Sequence, residues 1–531
     1  KGRVLTEYNS NGTLKKGYTG VSLSWETDRD GNEVSYSYNK SGKLKKEHYA
    51  KLDTYYYYDA NGNLAQKKTG NIITEYRYDN MNRLSAEITH PTASTSEVTR
   101  YSYDNAGNLI MKITGLTSLT EEYNPSVHSA RTYTYDAFGN CTSETSALQK
   151  TQSTAYNTLG YPTSVTRADG SIVSFAYDEM MRKTQISCGT ESVSYAYDLL
   201  GNVVSMTDGG GTTSYVYNAF GQKLSETRGG TSLGYSYDSD GNLSAVASAA
   251  PGYSETHYYG YDELNRLTRV TWGTNKDFYA TYKYNRNDTV DRMTIFQDGR
   301  VEERYTYDKM NRMLTLKRNI QDAKSVTTST AYDQNGNVSD YEYADYAYDG
   351  ADRIISETKS PRGTITYAYD SRGNRISMQT DSSVTTYTYD LDNKLLSSAE
   401  TVNGSTAVTT YTYDQNGSLT QKQTPEKTYT YAYNPLGTLA SVTDSTGSAA
   451  YYTYDGNNIR QSKRIVSGES DVTTQYINDG GNVIAEITGE KTQTYIRGKR
   501  LIAMQNEDGE WSIFGNNYRG DVERVQRGSY S

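Results

Sequence analysis

The residues able to do chemistry in this 531-residue chain are few, and they are scattered. Its four histidines, His48, His90, His128 and His257, form no H-E-x-x-H motif and no paired spacing that would bring two imidazoles to one metal. Each reads as a surface or loop residue. No G-x-S-x-G elbow offers a serine nucleophile, and the triple glycine Gly209–Gly211 lacks the Lys-Ser/Thr that completes a phosphate loop. Asp28-Arg29-Asp30-Gly31-Asn32 and Asp238-Ser239-Asp240-Gly241-Asn242 resemble the start of a calcium loop, but neither has the closing bidentate Glu. Turn capping by Asp explains the same residues. Arg519-Gly520-Asp521 spells a tripeptide that some integrins read, and it is equally ordinary turn chemistry. Cys141 and Cys188 are too few to form a disulfide framework and read as free, buried or half-buried thiols. The sequence thus predicts no catalytic residue, no metal site and no cofactor.

What does recur is a phrase built on Tyr-x-Tyr-Asp and closed by Gly-Asn, as in Tyr133–Asn140 and Tyr367–Asn374. Aligned on its Asp or Asn, it occurs in twenty-two copies from Asn9 to Asn478, and eighteen of the twenty-one intervals are 20–25 residues. Such a period means an array. Tyr occurs 55 times against 6 Phe and 3 Trp, and Gly 45 times against 7 Pro, which favours strands and turns over helices.

Each column of the repeat has a physical reading. The residue before the anchor is Tyr in every copy but the last, where Ile477 stands, and the residue two earlier is Tyr in seventeen copies. Two apart on a strand is the same face, so Tyr133/Tyr135, Tyr195/Tyr197 and Tyr367/Tyr369 form aromatic stripes. Three residues past the anchor stands Gly, Asn or Asp in all copies except at Met181, which predicts φ > 0 there. The anchors Asp136, Asp198 and Asp370 are expected to cap the turn, and Gly139, Gly201 and Gly373 to supply its left-handed residue. A type I turn with a glycine bulge fits this pattern. Five past the anchor, an apolar residue such as Leu109, Val203 or Leu243 opens the returning strand. The fold class is therefore all-β, a large antiparallel sheet of repeated β-hairpins. So many strands cannot lie in one open sheet, which is expected to wind as a spiral into a hollow shell or tube.

The net charge of −9, with Lys and Arg dispersed, argues against a nucleic-acid partner. No apolar run approaches the ~20 residues of a spanning helix, so no membrane insertion by this segment is expected. A start at Lys1 without Met suggests an internal piece of a longer protein.

The recurring Y-x-Y-D-x-x-G-N-L, seen at Tyr101–Leu109, Tyr195–Val203 and Tyr235–Leu243, with N-R-L variants at Asn82–Leu84 and Asn265–Leu267, resembles the YD repeat. That repeat belongs to the bacterial Rhs proteins, the C component of Tc toxins and the teneurins. The resemblance implies a spiral shell that encloses a C-terminal toxin in the Rhs and Tc members and serves extracellular adhesion in teneurins. Tyr495–Gln526 is similar to the end of an Rhs core, but no Asp-Pro dipeptide occurs, so neither cleavage residues nor a toxin can be carried over. Residues 1–460 are read as the hairpin array and 461–531 as degenerate last repeats. The expected role is a non-enzymatic, secreted or cell-surface shell. Its partner would be an encapsulated C-terminal toxin or other polypeptide cargo, with a delivery apparatus or cell surface as a further partner. The alternative is an extracellular adhesion or carbohydrate-binding module.

Overall fold

Each Tyr-x-Tyr-Asp phrase ends one strand, and the residue five past its anchor begins the next: Ser129–Tyr135 is followed by Cys141–Thr145, and Glu191–Tyr197 by Val203–Asp208. The computed structural model describes residues 5–9, 11–273, 278–297, 299–321 and 323–527. It contains forty-nine strands, from Thr6–Asn9 to Val522–Arg527, and among the described residues no helix. Every strand pairs antiparallel with its neighbours in sequence, so the sheet is one continuous meander whose first and last strands each pair on one side.

The hairpin is the same in twenty of the twenty-two copies. The anchor N–H donates to the carbonyl four residues on, and the N–H three residues on donates back to the anchor carbonyl, as in Asp136/Asn140 and Gly139/Asp136 (3.0 and 3.1 Å). This is a type I turn closed by a left-handed residue. A bulge follows: Thr134 pairs with Ser143 and Tyr135 with Cys141, leaving Thr142 unopposed. The two end copies differ. Asn9 pairs directly with Gly12. At the other end Asp479 pairs with Asn482, so Gly480 and Gly481 alone make the turn; Gly480, not Gly481, takes the positive φ. The adjacent glycines permit this shorter turn, Gly480 with a φ of 55°.

The turn also occurs outside the aligned copies. It closes hairpins at Asp28–Asn32, Asn506–Glu510 and Asn517–Asp521 with the same pair of hydrogen bonds. Arg519-Gly520-Asp521 is the tip of the last of these, where Asn517 Oδ1 accepts the N–H groups of Arg519 and Asp521 at 2.9 and 3.0 Å.

Long-range contacts show how the meander winds. Counting strands along the chain, the connecting turn after the third strand meets the anchor turn after the twenty-sixth, through Arg29 N–H to Asn287 Oδ1 at 3.0 Å. The same offset of twenty-three strands holds at Tyr49 to Lys309 O (2.6 Å), Asn71 N–H to Asn335 Oδ1 (2.9 Å), Ser146 to Asp392 (2.8 Å), Asn416 to Asp169 (2.7 Å) and Gly456 N–H to Asp208 (2.7 Å). Only a spiral of twenty-three strands per winding puts such pairs together. The chain completes just over two windings, with the connecting-turn edge of the first stitched to the anchor-turn edge of the second.

One small core cluster, Ala86, Ile88, Val98, Ile113, Leu116 and Ala130, lies along neighbouring strands of the first winding, and the two larger ones lie where strands stack face to face. Ile477, Ile484 and Ala485 pack on Leu233, Tyr235, Val246 and Tyr253. Further along, Ile496, Ile502, Ala503, Trp511 and Ile513 pack on Val270, Trp272, Phe278, Tyr282 and Met293. The last strands thus leave the winding and lie as a second layer over the Tyr-bearing face. The sequence pattern, which carries little aliphatic residue per repeat, gave no sign of this layer.

Candidate functional site

The repeated turn, the Tyr stripe, the seam between windings and the covering C-terminal layer are the arrangements that could carry function.

In the turn, one carboxylate serves three donors. Asp136 Oδ1 accepts the N–H of Phe138 and of Asn140, both at 2.9 Å, and Oδ2 accepts Asn140 Nδ2 at 2.9 Å. Asp198 does the same with Leu200 and Asn202, and Asp370 with Arg372 and Asn374. The Asn140 amide, with the backbone N–H groups, holds the Asp136 carboxyl below the ordinary carboxylate range; Asn202 does so for Asp198. Gly139, Gly201 and Gly373 have φ of 83, 90 and 84°, and Met181 adopts 60° in their place. Where Arg replaces the Asn, as at Arg83, Arg182, Arg266, Arg312 and Arg353, its Nε reaches the anchor carboxylate at 2.7–2.8 Å. Its guanidinium then lies 4.1–4.8 Å from the centre of the next repeat's Tyr ring.

The Tyr before the anchor has a fixed partner. Tyr135 donates to Leu109 O at 2.9 Å, Tyr197 to Lys183 O at 2.7 Å and Tyr369 to Ile354 O at 2.7 Å. In each case the acceptor is the carbonyl of the residue opening the previous repeat's returning strand. Seventeen copies make this bond, and Tyr38 makes its equivalent to Leu23 O, the second residue of the strand Ser22–Thr27. It ties each hairpin to the one before, and Phe could not make it. The Tyr two residues earlier is half-buried on the same face. Tyr195 Oη reaches Gly456 O across the seam at 3.3 Å, and the Tyr367 ring lies beside the Arg375 guanidinium. Burial raises the phenol pKa of Tyr133, Tyr135, Tyr195, Tyr197, Tyr367 and Tyr369, so these groups stay protonated donors.

At the seam the two windings approach closely. A Cβ on Gly456 would fall 2.4 Å from Val193 Cγ1. A cavity of about 620 Å³ between the windings contains Glu97, Asp349, Arg353 and Asp370. Arg353 bridges Glu97 at 2.8 Å and Asp349 at 2.7 Å. The guanidinium holds Glu97 and Asp349, and Asp370 accepts turn N–H groups from Arg372 and Asn374, which makes the cluster a stitch between the windings.

Under the C-terminal layer, Glu303 is wholly buried and bonded to Arg318, Arg500 and Tyr305. Burial alone would raise its pKa, but Arg500 and Arg318 outweigh it and hold the carboxylate ionised. Arg318 also donates to Phe514 O at 3.2 Å. No sequence motif marks this cluster. Two histidines depart from the surface reading: His128 is buried, with Nε2 3.0 Å from Glu121, and His257 is buried within the strand Tyr253–Tyr261, its pKa pushed down to about 4 by burial. Both cysteines are free, Cys141 half-buried and Cys188 buried.

The fold and turn define a hairpin-repeat β-shell. Residues 3–118, 107–289 and 280–517 match the profile of the teneurin YD-shell, and the chain belongs to that family. In structure it is similar to the Photorhabdus luminescens Tc holotoxin pore carrying TccC3-D651A, with TM-score 0.69 and 13% identity over 97% of this chain and 33% of that one. It is also similar to TcdB2-TccC3-TEV, with TM-score 0.54 and 14% identity over 97% of this chain and 34% of that one. At such identity the likeness is one of fold. Among curated proteins, the tRNA nuclease WapA of Bacillus subtilis strain 168 is 32% identical over 179 residues, 30% of this chain. The tRNA3(Ser)-specific nuclease WapA of Bacillus spizizenii gives the same figures. The matched part spans 8% of the length of these relatives.

Proposed function

We propose that this chain is a non-enzymatic encapsulating shell of a secreted or surface-delivered polymorphic toxin, sequestering a C-terminal effector polypeptide that is not among its 531 residues. The observation that carries the reading is the seam. A constant offset of twenty-three strands makes a wall of stacked windings, and a wall has use as an enclosure. Its mechanism is exclusion: polypeptide inside is out of reach of proteases and substrates. In this reading residues 1–460 form the wall and 461–531 are the degenerate last repeats that end it, of which the strands up to Arg527 fold over the Tyr face, where cargo would be delivered. The solved neighbours named as toxin components support the same assignment, and a match to 8% of the length of the WapA proteins carries none of their nuclease activity to this chain.

The adhesion or carbohydrate-binding reading has less support. Sugar platforms need open ring faces, whereas here Arg83, Arg182 and Arg312 lie over Tyr103, Tyr197 and Tyr332, and the hydroxyls are spent on backbone carbonyls. Small-angle scattering tests the enclosure. A distance distribution with a depleted centre is expected; the profile of a solid rod would reject the shell, and specific binding on a glycan array would favour adhesion.

A further inference from the structure

Where the second winding begins, the face of the sheet opposite the Tyr stripe gathers cations. Register places Lys283, Arg292, Arg304 and Lys317 directly opposite one another on four consecutive strands, Phe278–Tyr284, Val290–Phe296, Arg300–Tyr307 and Met313–Ile320. At ~4.8 Å between strands the row spans ~14 Å. Arg269 and Arg300 extend it on the same face. Against these six cations, this face of the same strands sets one acid, the buried Glu302, which accepts Arg304 Nε at 2.6 Å and is also bonded to Arg300. Lys283 and Lys317 are exposed and make no hydrogen bond or ion pair among the described residues. Like charges directly opposite on neighbouring strands destabilise a sheet. In a chain of net charge −9, this row opposes folding and has no partner within the fold to neutralise it.

We propose that this face binds a linear polymer bearing phosphate groups. Cations strung out along a row match the successive charges of a chain, whereas one small anion would need them to converge on a point. Four of the six are Arg, whose planar fork pairs with phosphate oxygens two at a time. Stacking of nucleic-acid bases is closed off, because Tyr279 and Phe296 stack on each other at 4.4 Å, with the guanidinium groups of Arg269 and Arg300 4.7 and 6.0 Å from their ring centres. An acidic peptide that adds as a strand needs a free sheet edge, and every strand here is paired on both sides. An anionic bilayer is disfavoured by Asp340 and Asp345 further along the same face and by the net charge. The face lies opposite the covering layer, so the proposal holds whether or not the shell encloses cargo.

Fluorescence anisotropy of end-labelled linear inorganic polyphosphate, titrated with the 531-residue chain, tests it. Binding that weakens steeply with added salt is expected, since each neutralised phosphate releases a counterion. Lys283→Glu/Lys317→Glu should weaken it about tenfold or more, and Lys283→Gln/Lys317→Gln should make it less dependent on salt. Neither should lower the Tm, because each removes like-charge neighbours. Lys45→Glu/Lys359→Glu changes the net charge equally at exposed lysines elsewhere and should leave the affinity within about twofold. Absence of binding, an equal loss in the two Glu variants, or a lower Tm in both the Glu and the Gln variants at Lys283 and Lys317 overturns the proposal. So does tighter binding of a single-stranded oligonucleotide, of polyglutamate or of phosphatidylglycerol vesicles.

Discussion

Glu303 and Arg500 stand 197 residues apart and form an ion pair in which the carboxylate is entirely buried, between the strand Arg300–Tyr307 and the turn before Leu501–Gln505. The pair fastens the covering layer to the wall. Arg318 and Tyr305 complete the shell of partners around the carboxylate, so its desolvation is matched by charge and hydrogen bonds.

Glu303→Gln removes the anion and leaves two guanidinium groups facing each other in a dry site. Breaking one partner of such a pair costs about 3–5 kcal/mol. Because repeat arrays open locally, the loss should appear as early unfolding of residues 461–527 and not of the whole wall. Hydrogen exchange with peptide readout is the measurement. Uniform destabilisation along the chain would show that the layer is not a separately fastened unit.

The Tyr hydroxyl ladder makes a second prediction. Tyr135→Phe keeps the ring and deletes the donor to Leu109 O. The expected cost is about 0.5–1.5 kcal/mol, localised to the junction between the strands Leu109–Leu116 and Ser129–Tyr135. Tyr133→Phe, whose hydroxyl makes no such bond to a returning strand, should cost less. Equal losses in local exchange would mean that the ring and not the hydroxyl is what the repeat retains.

Backbone strain at the turn makes a third. Met181 holds a φ of 60° that Gly holds at the equivalent position of most repeats. Met181→Gly should stabilise its hairpin by up to about 1 kcal/mol, since the left-handed conformation costs a side-chain-bearing residue ~1–2 kcal/mol and Gly returns part of that as chain entropy. Gly139→Val should destabilise by about 1–3 kcal/mol. Protease susceptibility at each turn reads both, and opposite signs are required.

The fold was legible because its local code repeats: Tyr at alternate positions, Asp before a left-handed residue, an apolar residue to restart the strand. Each copy states the same hairpin, and together they overrule any single deviation such as Met181. The seam and the latch were not legible. Asn71 and Asn335 become neighbours only through the number of strands per winding, which depends on small twists accumulated over twenty-three strands, and Glu303 and Arg500 only because the last strands fold over the wall. Glu303 reads in sequence as one charged residue among many, and only the layer folded over it makes it special. Likewise His257 lies in a strand whose burial comes from its position in the winding and not from its own repeat.

Acid should loosen the turns before the core. Asp136 and Asp198 are held below their ordinary pKa by the Asn amide four residues on and by turn N–H groups. A depressed folded pKa means that the carboxylate contributes stability above the unfolded pKa, near ~4, and loses it as pH falls through the folded value. Exchange of the Phe138 and Asn140 amides, which donate to Asp136 Oδ1, should therefore be steady relative to the intrinsic rate from pH 7 to ~5 and lose protection below. Asp136→Asn tests the cause, because an amide oxygen accepts the same bonds without the charge. Its protection should be lower than wild type at neutral pH and nearly equal to it once the carboxylate is protonated. A difference that persists undiminished in acid would assign the effect to shape and not to charge.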